Sequence, residues 1–267
     1  MNQVFASVIS NCAILPEFKR PGARHIISSQ LIWLNCPEIA REAKPGQFVM
    51  VRCGEECLLR RPLSIHQVND DSIAFFFGVW ADGKGTEWLA QRRKGDKLDL
   101  LGPLGNGYSM YPAYRNLLLV AGGLGIAPLY FLAQEALRKG CSVTLLLGAL
   151  TAAQLYHENL LPPGIKLFTA TNDGTAGEKG VISDFVADYI DWADQVFACG
   201  SVGMYLSMAA QPLMKSKPVQ VSLEVRMGCG LGICYGCTIK TKKGLKQVCQ
   251  DGPVFDLDDV LWDELSC

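Results

Sequence analysis

Four cysteines near the carboxyl end, Cys229, Cys234, Cys237 and Cys249, are spaced x4, x2 and x11. Four thiolates can hold a [2Fe–2S] cluster, and x4 followed by x2 is the spacing of the first three ligands in plant-type ferredoxins. The loop 229–237 must then wrap the cluster with its backbone N–H groups aimed at the sulfurs. Gly228, Gly230, Gly232 and Gly236 permit the left-handed backbone and close approach this requires. The stretch 238–248, with Lys242-Lys243-Gly244 at its middle, can form a hairpin that returns Cys249 to the loop. Structural zinc is the alternative use of four cysteines. Zinc ribbons present two closely spaced cysteine pairs, whereas Cys249 has no near partner in sequence, so the spacing favours iron and sulfide.

A second constellation is Arg60-Arg61-Pro62-Leu63-Ser64, followed by Gly83-Lys84-Gly85-Thr86. A flavin dinucleotide needs a cation for its pyrophosphate and backbone donors at a helix start. Arg61 could supply the first, and Gly85 with Thr86 the second. Pro62 would hold the chain extended and aim Ser64 at the isoalloxazine edge. The same strings also describe an ordinary Arg-Pro at a strand edge and a Thr-capped turn, and by themselves they favour that reading. A third is Gly122-Gly123-Leu124-Gly125-Ile126-Ala127-Pro128, directly after an apolar strand. Glycines there let a dinucleotide pyrophosphate approach the backbone, and Pro128 suits a first helical turn. The string is not the G-x-G-x-x-G fingerprint, so binding and a purely structural turn remain equally open. Cys199, in Cys199-Gly200-Ser201, ends another strand, where packing is the commoner role.

These residues need elements to position them. The chain has 267 residues, 49% of them hydrophobic, with 25 basic and 26 acidic side chains. That is more than one average domain and excludes disorder. A net charge of -1 gives no footprint for nucleic acid or an anionic membrane. The uncharged run 117–133 is shorter than the roughly 20 residues of a spanning helix and is broken by glycines, so no membrane partner is expected. Eleven cysteines without a basic, signal-like start point to thiol chemistry in the cytoplasm.

Short β-prone runs at 4–15, 26–34, 47–52, 64–68, 72–79 and 97–100, with a helical piece near 86–91, predict a closed antiparallel barrel. Gly102 to Gly107 is rich in breakers and marks a boundary. Beyond it, apolar strands at 116–121, 142–148, 166–170 and 195–199 alternate with helices at 128–139, 182–189 and 202–214. This is the pattern of a doubly wound parallel sheet. The fold class is therefore multi-domain β and α/β. The expected units are a flavin-type β-barrel at 1–107, an α/β nucleotide domain at 108–218 and a small cysteine-rich unit at 219–267.

The order Arg-Pro-x-Ser, Gly-Gly-x-Gly-x-x-Pro and Cys-Gly-x-x-x-Met resembles the ferredoxin-NADP reductase superfamily. The cluster loop and Cys249-Gln250-Asp251-Gly252-Pro253-Val254-Phe255 make the whole chain similar to electron-transfer subunits of class 1B dihydroorotate dehydrogenase. The resemblance implies FAD in the barrel, held by Arg61, Pro62, Leu63, Ser64, Gly85 and Thr86, with Gly78, Val79 and Trp80 beside it. It implies NAD at Gly122, Gly123, Gly125, Pro128 and Cys199, and the cluster on the four cysteines. Glu224 is a weaker candidate near the flavin. The family often has an aromatic-basic pair where this chain reads Val79-Trp80, which leaves Arg60 or Lys84 to compensate or makes FAD binding weaker. NAD is preferred over NADP because 148–154 offers no cation for a 2′-phosphate. The implied partner is an FMN-containing catalytic subunit oxidising dihydroorotate, in a heterotetramer, with electrons passing from FMN to cluster to FAD to NAD. No acid–base residue is expected. The rival enzyme is the small subunit of an NADH-dependent ferredoxin:NADP oxidoreductase or sulfide dehydrogenase, whose relatives tend to lack the first cluster cysteine. A rival of another class is a redox-sensing or zinc-stabilised interaction module.

Overall fold

A computed structural model describes residues 2–17 and 25–265. Its first sheet is antiparallel: β1 (Asn2–Leu15), β2 (Ile26–Asn35), β3 (Phe48–Val51), β4 (Arg61–Ser64), β5 (Gln67–Asn69), β6 (Ser72–Trp80) and β7 (Lys97–Leu104). The spatial order is β4-β3-β7-β1-β2-β6-β5, with short helices α1 (Pro37–Ala40) after β2 and α2 (Lys84–Ala90) after β6. The sheet curls through the right-handed twist of its strands, and successive side chains alternate between two apolar environments. On β6, Phe75, Phe77 and Val79 fill the barrel, while Phe76 points out to the next unit.

Residues 64–68 do not form one strand. The chain turns at Ile65 and His66, both fully buried, and this corner separates β4 from β5. The barrel's two edge strands therefore meet through a corner without a ladder between them. Gly102 and Pro103 do not break the chain either, since β7 runs on to Leu104 and pairs Gly102 with Asn2.

The second sheet takes β8 (Asn116–Gly122), β9 (Ser142–Ala149), β10 (Lys166–Thr171), β11 (Glu178–Lys179), β12 (Gln195–Cys199) and β13 (Val219–Ser222). A separate hairpin, β14 (Thr238–Thr241) and β15 (Gly244–Gln247), precedes β16 (Val254–Asp256), which adds antiparallel to β13. The order is β11-β10-β9-β8-β12-β13-β16, with every pair but the last parallel. Strand β8 shows why both faces must be covered: Leu117, Leu119 and Ala121 enter one core, and Leu118 and Val120 the other. Helix α3 (Ile126–Arg138) covers the first; α4 (Ala187–Ile190) and α5 (Val202–Ala210) cover the second. The expected helix 202–214 stops at Ala210. Pro212 lacks the N–H to continue it, and a 3₁₀ turn, Pro212–Ser216, follows. The expected helix 182–189 is likewise a 3₁₀ turn, Ile182–Phe185, followed by α4. Among the described residues no helix is long and apolar enough to cross a membrane.

The outer face of β6 packs on α3 through an aromatic seam centred on His66, whose ring contacts Phe76, Tyr130 and Tyr156. Burial lowers the His66 pKa from 6.5 to about 4, offset only in part by the Ala127 carbonyl. A histidine with a depressed folded-state pKa adds stability that is present above pH 6.5 and lost as the pH falls towards 4. At about 1.4 kcal/mol per pKa unit, the loss is on the order of 3 kcal/mol. Urea unfolding between pH 7 and 4 should show this slope in the natural chain and lack it in His66→Gln. Equal slopes in both chains would contradict a buried neutral imidazole.

Candidate redox cofactor sites

The four carboxy-terminal thiols come together as two pairs. The Cys229 sulfur lies beside Cys234, and Cys249 beside Cys237. Cys237 and Cys249 are buried, Cys229 is half-buried and Cys234 is exposed. Among the described residues, no three His, Cys, Asp or Glu side chains converge on the position of a single ion. Four thiols in two neighbouring pairs can supply two ligands to each iron of a binuclear cluster.

Backbone donors surround the sulfurs. Leu231 N–H donates to Cys229 Sγ at 3.2 Å, Gly232 N–H to Cys249 Sγ at 3.2 Å and Cys249 N–H to Cys237 Sγ at 3.4 Å. Such bonds favour thiolate, and in iron–sulfur sites they tune the reduction potential. Burial raises the Cys229 pKa, but the N–H groups of Leu231, Cys234 and Ile233 and the Cys234 thiol outweigh it and bring the value to about 6. Cys249 is pushed up to about 12 by burial and by the adjacent Cys237, against the Gly232 N–H. Gly230 and Gly232 both have φ of +73°, and Gly230 lies against Met50 of β3, so the loop is seated on the barrel wall. The donor set and its geometry fit a [2Fe–2S] cluster.

In the barrel, Arg61, Pro62, Leu63 and Ser64 form β4, an edge strand paired with β3. The Arg61 side chain lies across the first turn of α2: a Cβ on Gly85 would sit 2.9 Å from its Nε. Thr86 Oγ1 donates to the Gly83 carbonyl at 3.1 Å and accepts from Trp80 N–H at 3.3 Å, which ties the turn to the end of β6. The guanidinium thus packs directly on the glycine backbone while its Nη1 donates to the Leu59 carbonyl at 2.6 Å, which sets a cation beside the backbone of the turn, the pairing a diphosphate needs. Arg60 is committed elsewhere, 2.8 Å from Asp99 in a largely buried ion pair, and does not compensate for the Val79-Trp80 departure. Lys84 is exposed and 3.7 Å from Glu56. Val79 points into the barrel core and is 2% exposed. Gly78 is turned the other way, and a Cβ on it would meet Leu124 at 2.9 Å.

Leu124 belongs to the glycine turn after β8, so the two candidate dinucleotide segments touch. The sheet reverses its winding between β8 and β12, and the carboxyl ends of strands at such a switch point are where open α/β sheets bind nucleotides. Gly123 is left-handed, with φ of +58°. A Cβ on Gly122 would meet Met204 Sδ at 3.2 Å and the Gly200 Cα at 3.5 Å, and one on Gly125 would lie 1.9 Å from the Cys199 carbonyl oxygen. Gly125 and Gly122 are thus both fixed by close packing of this turn against the turn after β12. Pro128 is buried in the first turn of α3. The Cys199 thiol is pushed up to about 12 by burial and by nearby Glu224, with the Tyr205 hydroxyl opposing, so it stays protonated. Tyr205 also accepts from Gly200 N–H at 2.8 Å and donates to the Ser222 carbonyl at 2.7 Å, linking this turn to the segment entering the cluster loop.

Sequence reasoning passed over two features. At the end of β9, Ala152 N–H donates to Thr175 Oγ1 at 2.8 Å, and that hydroxyl donates to Asp173 at 2.7 Å. A carboxylate, held ionised by the Thr175 hydroxyl and N–H, therefore stands where a 2′-phosphate would need a cation. The other is His66, one of three histidines in the chain and two residues beyond Ser64; nothing in its spacing marks it.

Barrel, switch point and cluster loop together define a flavin- and nucleotide-linked reductase of the ferredoxin-NADP reductase fold, extended by an iron–sulfur unit. A solved ferredoxin NADP+ reductase from Neisseria gonorrhoeae with bound FAD and NADP shares the fold alone, with TM-score 0.61, 17% identity, and 78% of this chain and 89% of that one covered. The structure of an NADH-dependent reduced ferredoxin-NADP oxidoreductase, described for flavin-based electron bifurcation, has TM-score 0.82 and 30% identity. It covers 99% of this chain and 92% of its own. Residues 224–261 match the iron-sulfur cluster binding domain of dihydroorotate dehydrogenase B. The dihydroorotate dehydrogenase B (NAD(+)) electron transfer subunit of Desulforamulus reducens is 38% identical over 240 residues, 86% of this chain and 91% of that protein. Its counterpart in Bacillus cereus strain B4264 is 38% identical over 228 residues, 82% of this chain and 87% of that protein. The chain belongs to the family of dihydroorotate dehydrogenase B electron transfer subunits.

Gly232 combines a left-handed backbone with a space that a Cβ would contest, 2.0 Å from Gln250 Oε1. A non-glycine residue in that conformation costs roughly 1–2 kcal/mol. Gly232→Ala is expected to bind less iron per chain while keeping its flavin, as measured by metal analysis and absorbance. Full iron content in this variant would show that the loop does not hold the metal in this conformation.

Proposed function

We propose that this chain takes electrons from a catalytic partner that oxidises dihydroorotate and delivers them to NAD. The observation that carries the reading is the two-pair thiol loop seated on the wall of a flavin-type barrel. A flavin exchanges electrons singly or in pairs, and so joins a one-electron cluster to a two-electron nicotinamide. The chain's own residues supply position and environment. Arg61 neutralises the diphosphate of FAD, with Gly85 and Thr86 presenting backbone beside it. Pro62, Leu63 and Ser64 present the flavin edge, and Gly78, Val79 and Trp80 supply the neighbouring strand. Gly122, Gly123, Gly125 and Pro128 shape the NAD turn, and Cys199 stands at the switch point as a neutral thiol. Cys229, Cys234, Cys237 and Cys249 hold the cluster. The corresponding units are 1–107 for FAD, 108–218 for NAD and 219–267 for the cluster, the last lending β13 and β16 to the sheet of the second. Asp173 beside the β9 end supports NAD over NADP by like-charge repulsion of a 2′-phosphate.

The partner is an FMN-containing catalytic subunit, two copies of each forming a heterotetramer in the cytoplasm. It meets the surface-facing pair, Cys229 and Cys234, where Ile233 and Tyr235 are 71% and 70% exposed. Large apolar side chains flanking a cluster thiol favour a protein neighbour over water. The likeness to the NADH-dependent ferredoxin-NADP oxidoreductase supports a second reading, a small subunit of that kind. The higher identity to the dihydroorotate dehydrogenase B subunits and the family match across the cluster loop favour the first.

Coexpression with an FMN-containing candidate partner tests the assignment. Dihydroorotate-dependent NAD reduction is expected only in the complex. Cys234→Ser should abolish that coupled activity while NADH still bleaches the flavin of the variant at close to the natural rate. Oxidation of dihydroorotate by this chain alone, or undiminished coupling in Cys234→Ser, would overturn the assignment.

A further inference from the structure

One side chain joins the flavin segment to the dinucleotide turn. His66 follows Ser64 by two residues, and Ala127 follows Gly125 by two. His66 Nδ1 lies 2.9 Å from the Ala127 carbonyl oxygen, and Nε2 lies 3.1 Å from the Tyr156 hydroxyl. A carbonyl oxygen only accepts, so Nδ1 carries the proton. Nε2 of the neutral ring is then an acceptor, and Tyr156 must donate to it. The Gln67 side chain lies beside the Tyr156 oxygen. Donor and acceptor sense is settled at each link, which leaves one arrangement.

The bridge crosses a seam that is otherwise apolar. Ring centroids of Tyr130, Phe76 and Tyr156 lie 4.6, 5.5 and 5.5 Å from the imidazole, and Phe76 and Tyr156 meet edge to face at 5.0 Å. Phe76 comes from β6, Tyr130 from α3 and Tyr156 from the segment after β9. Aromatic contacts tolerate small sliding, but buried polar groups that would lose their partners do not. Both ends of the bridge are anchored. His66 N–H donates to the Ala74 carbonyl at 2.8 Å, within the barrel, and the turn before Ala127 is locked by the approach of Gly125 to Cys199.

We propose that His66 is a positioning residue for hydride exchange, its two side-chain hydrogen bonds fixing α3 and the glycine turn against the flavin strand. It sets how a nicotinamide carried by the second sheet meets an isoalloxazine carried by the first. This rests on the cofactor assignment above. Hydride exchange is sensitive to such placement, since a misplacement of about 1 Å can cost on the order of a hundredfold in rate.

The test compares His66→Phe, His66→Asn and Tyr156→Phe in the flavin- and cluster-loaded chain. Phenylalanine fills the space without a polar atom, and asparagine keeps a donor where Nδ1 stood. Tyr156→Phe keeps its ring and leaves Nε2 without a donor. Three quantities are read: the rate of flavin reduction by NADH, the long-wavelength absorbance of nicotinamide stacked on flavin, and hydrogen exchange over residues 124–131. His66→Phe is expected to keep its flavin, to reduce at least about tenfold more slowly, to lose stacking absorbance and to exchange faster. Asparagine should restore much of all three, and Tyr156→Phe should fall between. Should His66→Phe fail to fold, the Asn and Tyr156→Phe variants decide by the same readouts. If His66→Phe matches the natural chain, or every variant follows side-chain volume regardless of donors, His66 only fills space and the inference is overturned. Failure of NADH to reduce the flavin of the natural chain would count against the cofactor assignment instead, and hydrogen exchange would still report whether the bridge holds the turn.

Discussion

Thiolates crowded into one loop repel each other, and the carboxy-terminal unit is built to contain that repulsion. Burial and Cys237 press Cys249 towards its protonated form, while a set of backbone N–H groups draws Cys229 towards thiolate. A metal centre that takes two thiolates at each end resolves the conflict, because its positive charge replaces the lost hydration of four sulfurs. The glycines follow from this: donors reach sulfur only if the backbone enters the left-handed region at Gly230 and Gly232. The loop in turn needs a rigid floor, which Met50 of β3 and the core around Val248, Leu257 and Trp262 provide.

The rest of the molecule can be understood as two sheets held at a fixed setting beside that loop. The β8–β12 switch point and the β6 edge meet where Gly78 admits Leu124, so the candidate flavin and nucleotide segments are in contact, not merely in the same chain. Antiparallel β16 brings the strand after the cluster unit into the parallel sheet, and Tyr205 ties the turn at Cys199 to the strand that enters the loop. The aromatic seam at His66 fixes the remaining degree of freedom between the sheets.

Much of this was readable in the residues. Alternating and continuous apolar runs marked most of the strands of both sheets, and β12 fell on the expected residues, because buried β-strands are governed by local hydrophobic pattern. The cysteine spacing announced the cluster for a similar reason: ligand geometry acts over a few residues. What the sequence withheld was long-range. The strands β13 and β16 are short and become strands only by pairing with a distant neighbour. The corner at Ile65 and His66 depends on α3, sixty residues on, and no local pattern announces it. Arg60 and Arg61 are adjacent and alike in sequence, yet Asp99 of β7 takes one and leaves the other facing Gly85. The packing roles of Gly122 and Gly125 likewise rest on Met204 and Cys199, which only the fold brings near.

Anaerobic titration of the loaded chain with NADH, followed by electron paramagnetic resonance and iron analysis, reaches the central claim most directly. The account predicts two irons per chain and a reduced-cluster signal that grows once the flavin has been bleached. Iron-free protein, a single bound zinc, or iron that NADH leaves oxidised while the flavin is fully reduced would contradict it.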